Sequence, residues 1–153
     1  MSTRSTTHFG YGPPTENQVQ AKVYRHPDGY PDSMLPDLLE FFETVTDETS
    51  DTRFNDPSYL AAKWVVWLAR MFSRRYTRLP NGEYGYDESG IGSLNFLSVG
   101  VILEDPDDIQ YVYYLDCENR DDAGRPTIYW GEARWDGNGK LNPNWKKVSN
   151  ESK

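Results

Sequence analysis

The stretch that most constrains this chain is PSYLAAKWVVWLARMFSRRY, running from Pro57 to Tyr76. Asp56-Pro57 is a strong helix start: a side chain that caps open N–H groups, then proline where no N–H is needed. Leu60, Trp64, Trp67, Leu68 and Met71 fall on one face at helical spacing, and Ala61, Val65 and Phe72 widen it. Only Lys63, Arg70, Ser73 and Arg74 interrupt the pattern. A helix that is apolar nearly all round belongs at the centre of a core, so the rest of the chain must surround it. Its basic last turn suits the negative end of the helix dipole.

The flanking segments supply that surround. Gln18 to His26 reads as a first strand, with Val19, Ala21 and Val23 alternating against Gln20, Lys22 and Tyr24. Asp28-Gly29, fenced by Pro27 and Pro31, is a turn. A first helix follows, capped by Asp32 or Ser33, with Leu35, Leu38, Leu39, Phe42 and Val45 on its apolar stripe and Asp37, Glu40 and Glu43 on the wet side. Residues 46 to 56 are a polar loop. Residues 77 to 94, with Asn81-Gly82, Gly85, Gly90 and Gly92, read as a long surface connection or a lid. Three strands follow in close order: Asn95 to Glu104, Ile109 to Cys117 and Thr127 to Trp135, joined by a tight turn at 105–108 and a polar loop at 118–126.

This order predicts a two-layer α+β sandwich: a mainly antiparallel four-stranded sheet, β-α-α-β-β-β, with both helices on one face. Where the first strand enters the sheet stays open. The expected organisation is a flexible arm over 1–18, rich in Ser, Thr, Gly, Pro and Gln, one domain over 19–140, and a polar tail over 141–153.

The chain has 153 residues and a formal net charge of -8, which argues against general nucleic-acid binding. The start of the chain shows no apolar leader, and no run of about 18 apolar residues occurs, so the expectation is a cytoplasmic protein with no membrane span. A single cysteine, Cys117, agrees with a reducing compartment and reads as a buried, inert thiol. Two histidines, His8 and His26, are too few for zinc, and Asp105-Pro106-Asp107-Asp108 and Asp136-Gly137-Asn138-Gly139 both fail the calcium-loop pattern. No cofactor and no metal are expected.

Aromatic residues make up 14% of the chain, and the second sheet face shows rings where a wet face should be polar. Tyr111, Tyr113, Tyr129 and Trp135 are the candidate contact surface; either they meet a partner, or tails and the 77–94 loop cover them. The other candidate is Arg25-His26-Pro27-Asp28-Gly29-Tyr30-Pro31. Read structurally, Gly29 supplies a positive φ, Asp28 holds the turn, and Arg25 pairs with an acid. Read functionally, Arg25, His26, Asp28 and Tyr30 at a strand end beside a helix start hold an anion.

Tyr24-Arg25-His26-Pro27-Asp28-Gly29-Tyr30-Pro31, followed by Leu38-Leu39-Glu40-Phe41-Phe42, resembles small proteins of bacteriophage, archaeal viruses and prokaryotic genomes. Those carry a Y-R-H-x-D-G-Y-P signature and then a D-L-L-x-F helix. DIQYVYYLD, residues 108 to 116, is similar to their I-E-Y-x-Y strand. Pro27 departs from the aromatic residue frequent at x, and the match spans about a third of the chain at motif level. The resemblance implies a viral or mobile-element setting, hence a host cytoplasm, and brings no activity with it.

The expected function is therefore non-enzymatic protein binding to a host or viral partner (in host interaction, anti-defence or a virion), with self-association into a homodimer as one form of it. The alternative is a protein that sequesters a small anionic ligand or nucleotide at the Arg25-His26-Asp28-Tyr30 turn. A small enzyme centred on His26 ranks last.

Overall fold

The structure is a computed structural model that describes residues 3–16, 18–78, 80–85 and 98–148. Its core is a sheet with helices α1 (Pro31–Glu48) and α2 (Pro57–Tyr76) on one face. The strands are β1 (Ser5–Tyr11), β2 (Gln18–Arg25), β5 (Val99–Ile102), β6 (Tyr111–Arg120), β7 (Pro126–Glu132) and β8 (Lys146–Lys147), and their order is β5-β2-β1-β6-β7-β8. A separate two-stranded ladder joins β3 (Thr77–Arg78) to β4 (Tyr84–Gly85). The fold is α+β as expected, but among the described residues the sheet has six strands, is open and is mixed: β1 and β6 run parallel while the other neighbours are antiparallel.

The difference comes from the first residues. The segment expected to be a flexible arm contains β1, a central strand paired on both sides and buried from Ser5 to Gly10. Thr6 and Thr7 are β-branched and fit a pleated strand. Their hydroxyls and the His8 ring make the segment look soluble, yet polar groups tolerate burial when they are hydrogen-bonded. Thr6 Oγ1 donates to Asp105 Oδ1 at 2.6 Å, and His8 Nε2 lies 2.7 Å from the same oxygen.

Register decides what each face carries. Thr7, Phe9 and their partners Val23, Ala21, Tyr113 and Leu115 share the helix side, with Ile128 in the Leu115 row and Cys117 in the same core. There they meet Leu38, Phe41, Phe42, Leu60, Trp64, Leu68 and Phe72 of the two helices. The Trp64 and Trp67 rings stack at 5.4 Å, and Phe41 meets Trp64 edge-on at 5.1 Å. The helix expected to be central is central, and its bounds are as read.

Helix α1 is rotated from its expected setting. It buries Met34, Asp37, Leu38, Phe41, Phe42 and Val45, while Leu39 is exposed. Asp37 turns inward because Arg25 waits there. The N-cap is Tyr30, not Asp32 or Ser33, and it makes no side-chain capping bond. At α2 the reading holds: Asp56 Oδ1 accepts from the Tyr59 N–H at 3.4 Å.

The other sheet face carries Thr6, His8, Lys22, Val112, Tyr114 and Tyr129 by the same register. Part of it is covered by the chain itself. The segment expected to be a free polar tail returns across it, pairs as β8 with β7, and sets Trp145 edge-on to Tyr114 at 6.1 Å. Gly131 permits this approach: a Cβ there would stand 2.8 Å from the Asn144 carbonyl oxygen. Of the strand expected at 95–104, the described residues pair over Val99–Ile102, and Leu103 and Glu104 lie beyond its end. Residues 86–97, which hold the start of that strand and most of the expected lid, lie outside the described residues.

Candidate binding surfaces

The Arg25–Pro31 turn is built inward. Arg25 is the last residue of β2 and faces the helices, only 1% exposed. Its Nη1 sits 2.8 Å from Asp37 Oδ2, its Nε donates to the Pro27 carbonyl at 2.9 Å, and its guanidinium lies 5.4 Å from the Phe72 ring centre. A buried cation needs such a partner set. His26 points elsewhere, with its Nδ1 3.1 Å from the Tyr24 hydroxyl and 3.4 Å from Arg4 Nε. Asp28, and not Gly29, takes the positive φ, at 56°. Gly29 is required for space: a Cβ would meet Ser5 Oγ and the Thr3 carbonyl oxygen at 2.7 Å each. The Gly29 carbonyl accepts the Tyr113 hydroxyl at 2.7 Å. Tyr30 stands at the helix start, partly exposed. The four residues proposed to hold an anion therefore do not converge, and the one strong cation among them is already paired.

The four-ring contact surface is likewise dispersed. Tyr113 is fully buried beneath the helices, and Tyr111 packs against the same core beside Trp130 at 6.2 Å. Tyr129 faces the opposite side, near Tyr114. Trp135 lies past the end of β7, in an isolated bridge with Leu141. Cys117 is buried, and burial, with Asp116 adding to it, pushes its thiol up to about 12, so the thiol stays protonated at neutral pH.

Two other features stand out. One is the outer edge of β5. Among the described residues no strand pairs with that edge. Val101 stands opposite Val23 in register, yet it is 77% exposed where Val23 is 1%. Leu103, just beyond the strand, is 93% exposed. The helical cover reaches Val99, which packs against the core, and leaves Val101 and Leu103 outside it.

The second is a cleft of 820 Å³ on the face away from the helices. Its floor holds His8, Lys22 and Asp105; Trp135, Leu141 and Trp145 form walls, with Glu104 and Lys140 also lining it. Asp105 accepts from Thr6 and His8 at Oδ1 and from Lys22 Nζ at Oδ2, 2.9 Å away. Burial alone would raise the Asp105 carboxyl, but the bonds from His8, Thr6 and Lys22 outweigh it and hold the group well below the usual carboxylate range. This carboxylate pins the β5–β6 connection onto β1 and β2. Sequence reading placed Asp105 in a turn and His8 in a loose arm, and missed their pairing. The only local signal was a histidine within a β-branched, aromatic run.

Among the described residues, no group of three or more His, Cys, Asp or Glu side chains is placed to hold a metal ion, and no helix is long and apolar enough to cross a membrane. No family model, curated protein or solved structure matches the chain.

Proposed function

We propose that the protein acts by binding another polypeptide at the outer edge of β5, and that it does so without catalysing a reaction. The observation that carries this is the uncharged sequence Val99-Gly100-Val101-Ile102-Leu103 at the end of the strand order, with Val101 and Leu103 in solvent. Strand edges template pairing with other chains, and natural proteins blunt them with lysine, proline or bulges. Residues 99–103 contain neither lysine nor proline. An extended partner segment gains main-chain hydrogen bonds there, and its side chains meet Val101 and Leu103.

A second copy of this chain satisfies the same geometry, because antiparallel pairing of β5 with itself is self-complementary about a two-fold axis. The net charge of -8 opposes this only weakly, since charges more than about 8 Å apart are largely screened at physiological salt. It also favours a basic partner over an acidic one. The viral or mobile-element setting, with a host or viral partner met in the host cytoplasm, rests on the octapeptide resemblance. The protonated thiol of Cys117 and the enclosed Arg25 support a binding role over a catalytic one.

Light scattering and affinity capture test the proposal together. The wild-type chain is expected to self-associate with rising concentration, or to retain a host protein that Val101→Lys and Leu103→Lys no longer retain. Identical mass and identical capture for wild type and both variants would overturn it.

A further inference from the structure

We propose that the cleft over the second sheet face is a separate binding site for a small aromatic anion: a flat ring joined to a carboxylate or phosphate. The cleft is separate from the β5 edge, since none of residues 99–103 lines it. Two indoles and two lysines line one concave space whose floor carboxylate is already occupied.

The ring half follows from the walls. Trp135 and Trp145 come from the two ends of the segment that crosses this face, and Leu141 lies between them in sequence. Indole faces stack on flat rings, and the gain tolerates variation in the ring because any π-face serves. Trp145 is itself held edge-on by Tyr114, so its plane is set before a ligand arrives. Trp135 is 38% exposed, with surface left to cover.

The anion half follows from the balance of charges. Five titratable groups line the cleft: His8, Lys22, Glu104, Asp105 and Lys140. Asp105 is the deepest of these carboxylates and accepts from Thr6, His8 and Lys22 at once, so it offers an incoming cation little. Lys22 gives one of its three N–H donors to Asp105 and keeps two. Lys140 sits exposed in the turn that closes on Asp136 and adds a second ammonium. Glu104 is the one exposed carboxylate in the lining and works against an anion. The volume, 820 Å³, lies within the range of small-molecule sites.

Isothermal titration tests this with four probes: adenosine monophosphate, indole-3-acetate, adenosine and inorganic phosphate. Saturable binding is expected for at least one of the two aromatic anions, and the pair separates a nucleotide source from an aromatic acid. Adenosine or phosphate alone is expected to bind about tenfold or more weakly than the joined molecule. Trp135→Leu and Lys140→Gln are each expected to weaken binding about tenfold, whereas Glu104→Gln tightens it several-fold. All three positions are exposed, and melting curves establish that each variant is folded. The proposal is overturned if neither aromatic anion binds up to about 1 mM. It is also overturned if adenosine binds as well as its monophosphate, or if Glu104→Gln weakens the anion.

Discussion

Arg25 and Asp37 meet where β2 ends and α1 begins, and each is what makes the other's burial tolerable. Removing one partner of a buried pair leaves an uncompensated charge and costs about 3 to 5 kcal/mol. Asp37→Ala is therefore expected to lower the unfolding free energy by about that amount in urea. His26→Ala, on a half-buried ring with one contact at 3.1 Å and one at 3.4 Å, is expected to cost about 1 kcal/mol. Equal losses for the two would contradict this account of the turn. Asp105 makes a different, pH-dependent contribution. Its carboxyl lies below its ordinary 3.8 in the folded protein, so its stabilisation is complete above that value and is lost as pH falls towards the native one. Asp105→Asn is expected to reduce stability at neutral pH and to flatten the acid limb below about pH 4 in a denaturation series. An unchanged acid limb would mean that Thr6, His8 and Lys22 do not hold the ionised form.

At the scale of elements, the cover over the second sheet face is as much part of the fold as the helices. Gly131→Ala places a methyl 2.8 Å from the Asn144 carbonyl oxygen and is expected to cost about 1 to 3 kcal/mol by forcing residues 143–145 away. It should also raise tyrosine accessibility, read by near-ultraviolet spectra. A neutral effect would return 141–148 to the free tail that composition suggests. Sequence alone revealed α2 from Asp56-Pro57 to Tyr76, because hydrophobic period and cap agree there. The register of α1 was less legible: Met34 and Phe41 compete with Leu35 and Leu39 for the stripe, and the buried Asp37 reads as a surface residue until Arg25 is seen opposite. Strand β1 was illegible for a related reason. Ser5-Thr6-Thr7-His8 matches a soluble arm in composition, and only long-range partners such as Asp105 and Tyr113 make its burial favourable. The cleft inherits that difficulty, since His8, Lys22, Asp105 and Trp145 are distant in sequence and belong to four separate segments.

At the scale of the whole molecule, the two ends of the sheet are treated differently. β8 closes one end with two exposed lysines, Lys146 and Lys147, the kind of residue that discourages edge pairing. β5 closes the other with no charge from Val99 to Leu103. On the proposed reading a sheet this asymmetric would pair at one edge only, closing as a pair or with one captured strand and not running on as a fibre. That asymmetry is the physical centre of the binding account. It replaces the open aromatic plane expected from the sequence, whose rings the helices and the 133–148 segment largely take up. Amide hydrogen exchange across a concentration series, or with a captured partner added, tests it most directly. Slowed exchange at residues 99–103, with 146–147 unchanged, is the expected result; protection that develops elsewhere while 99–103 exchange at the same rate would contradict it.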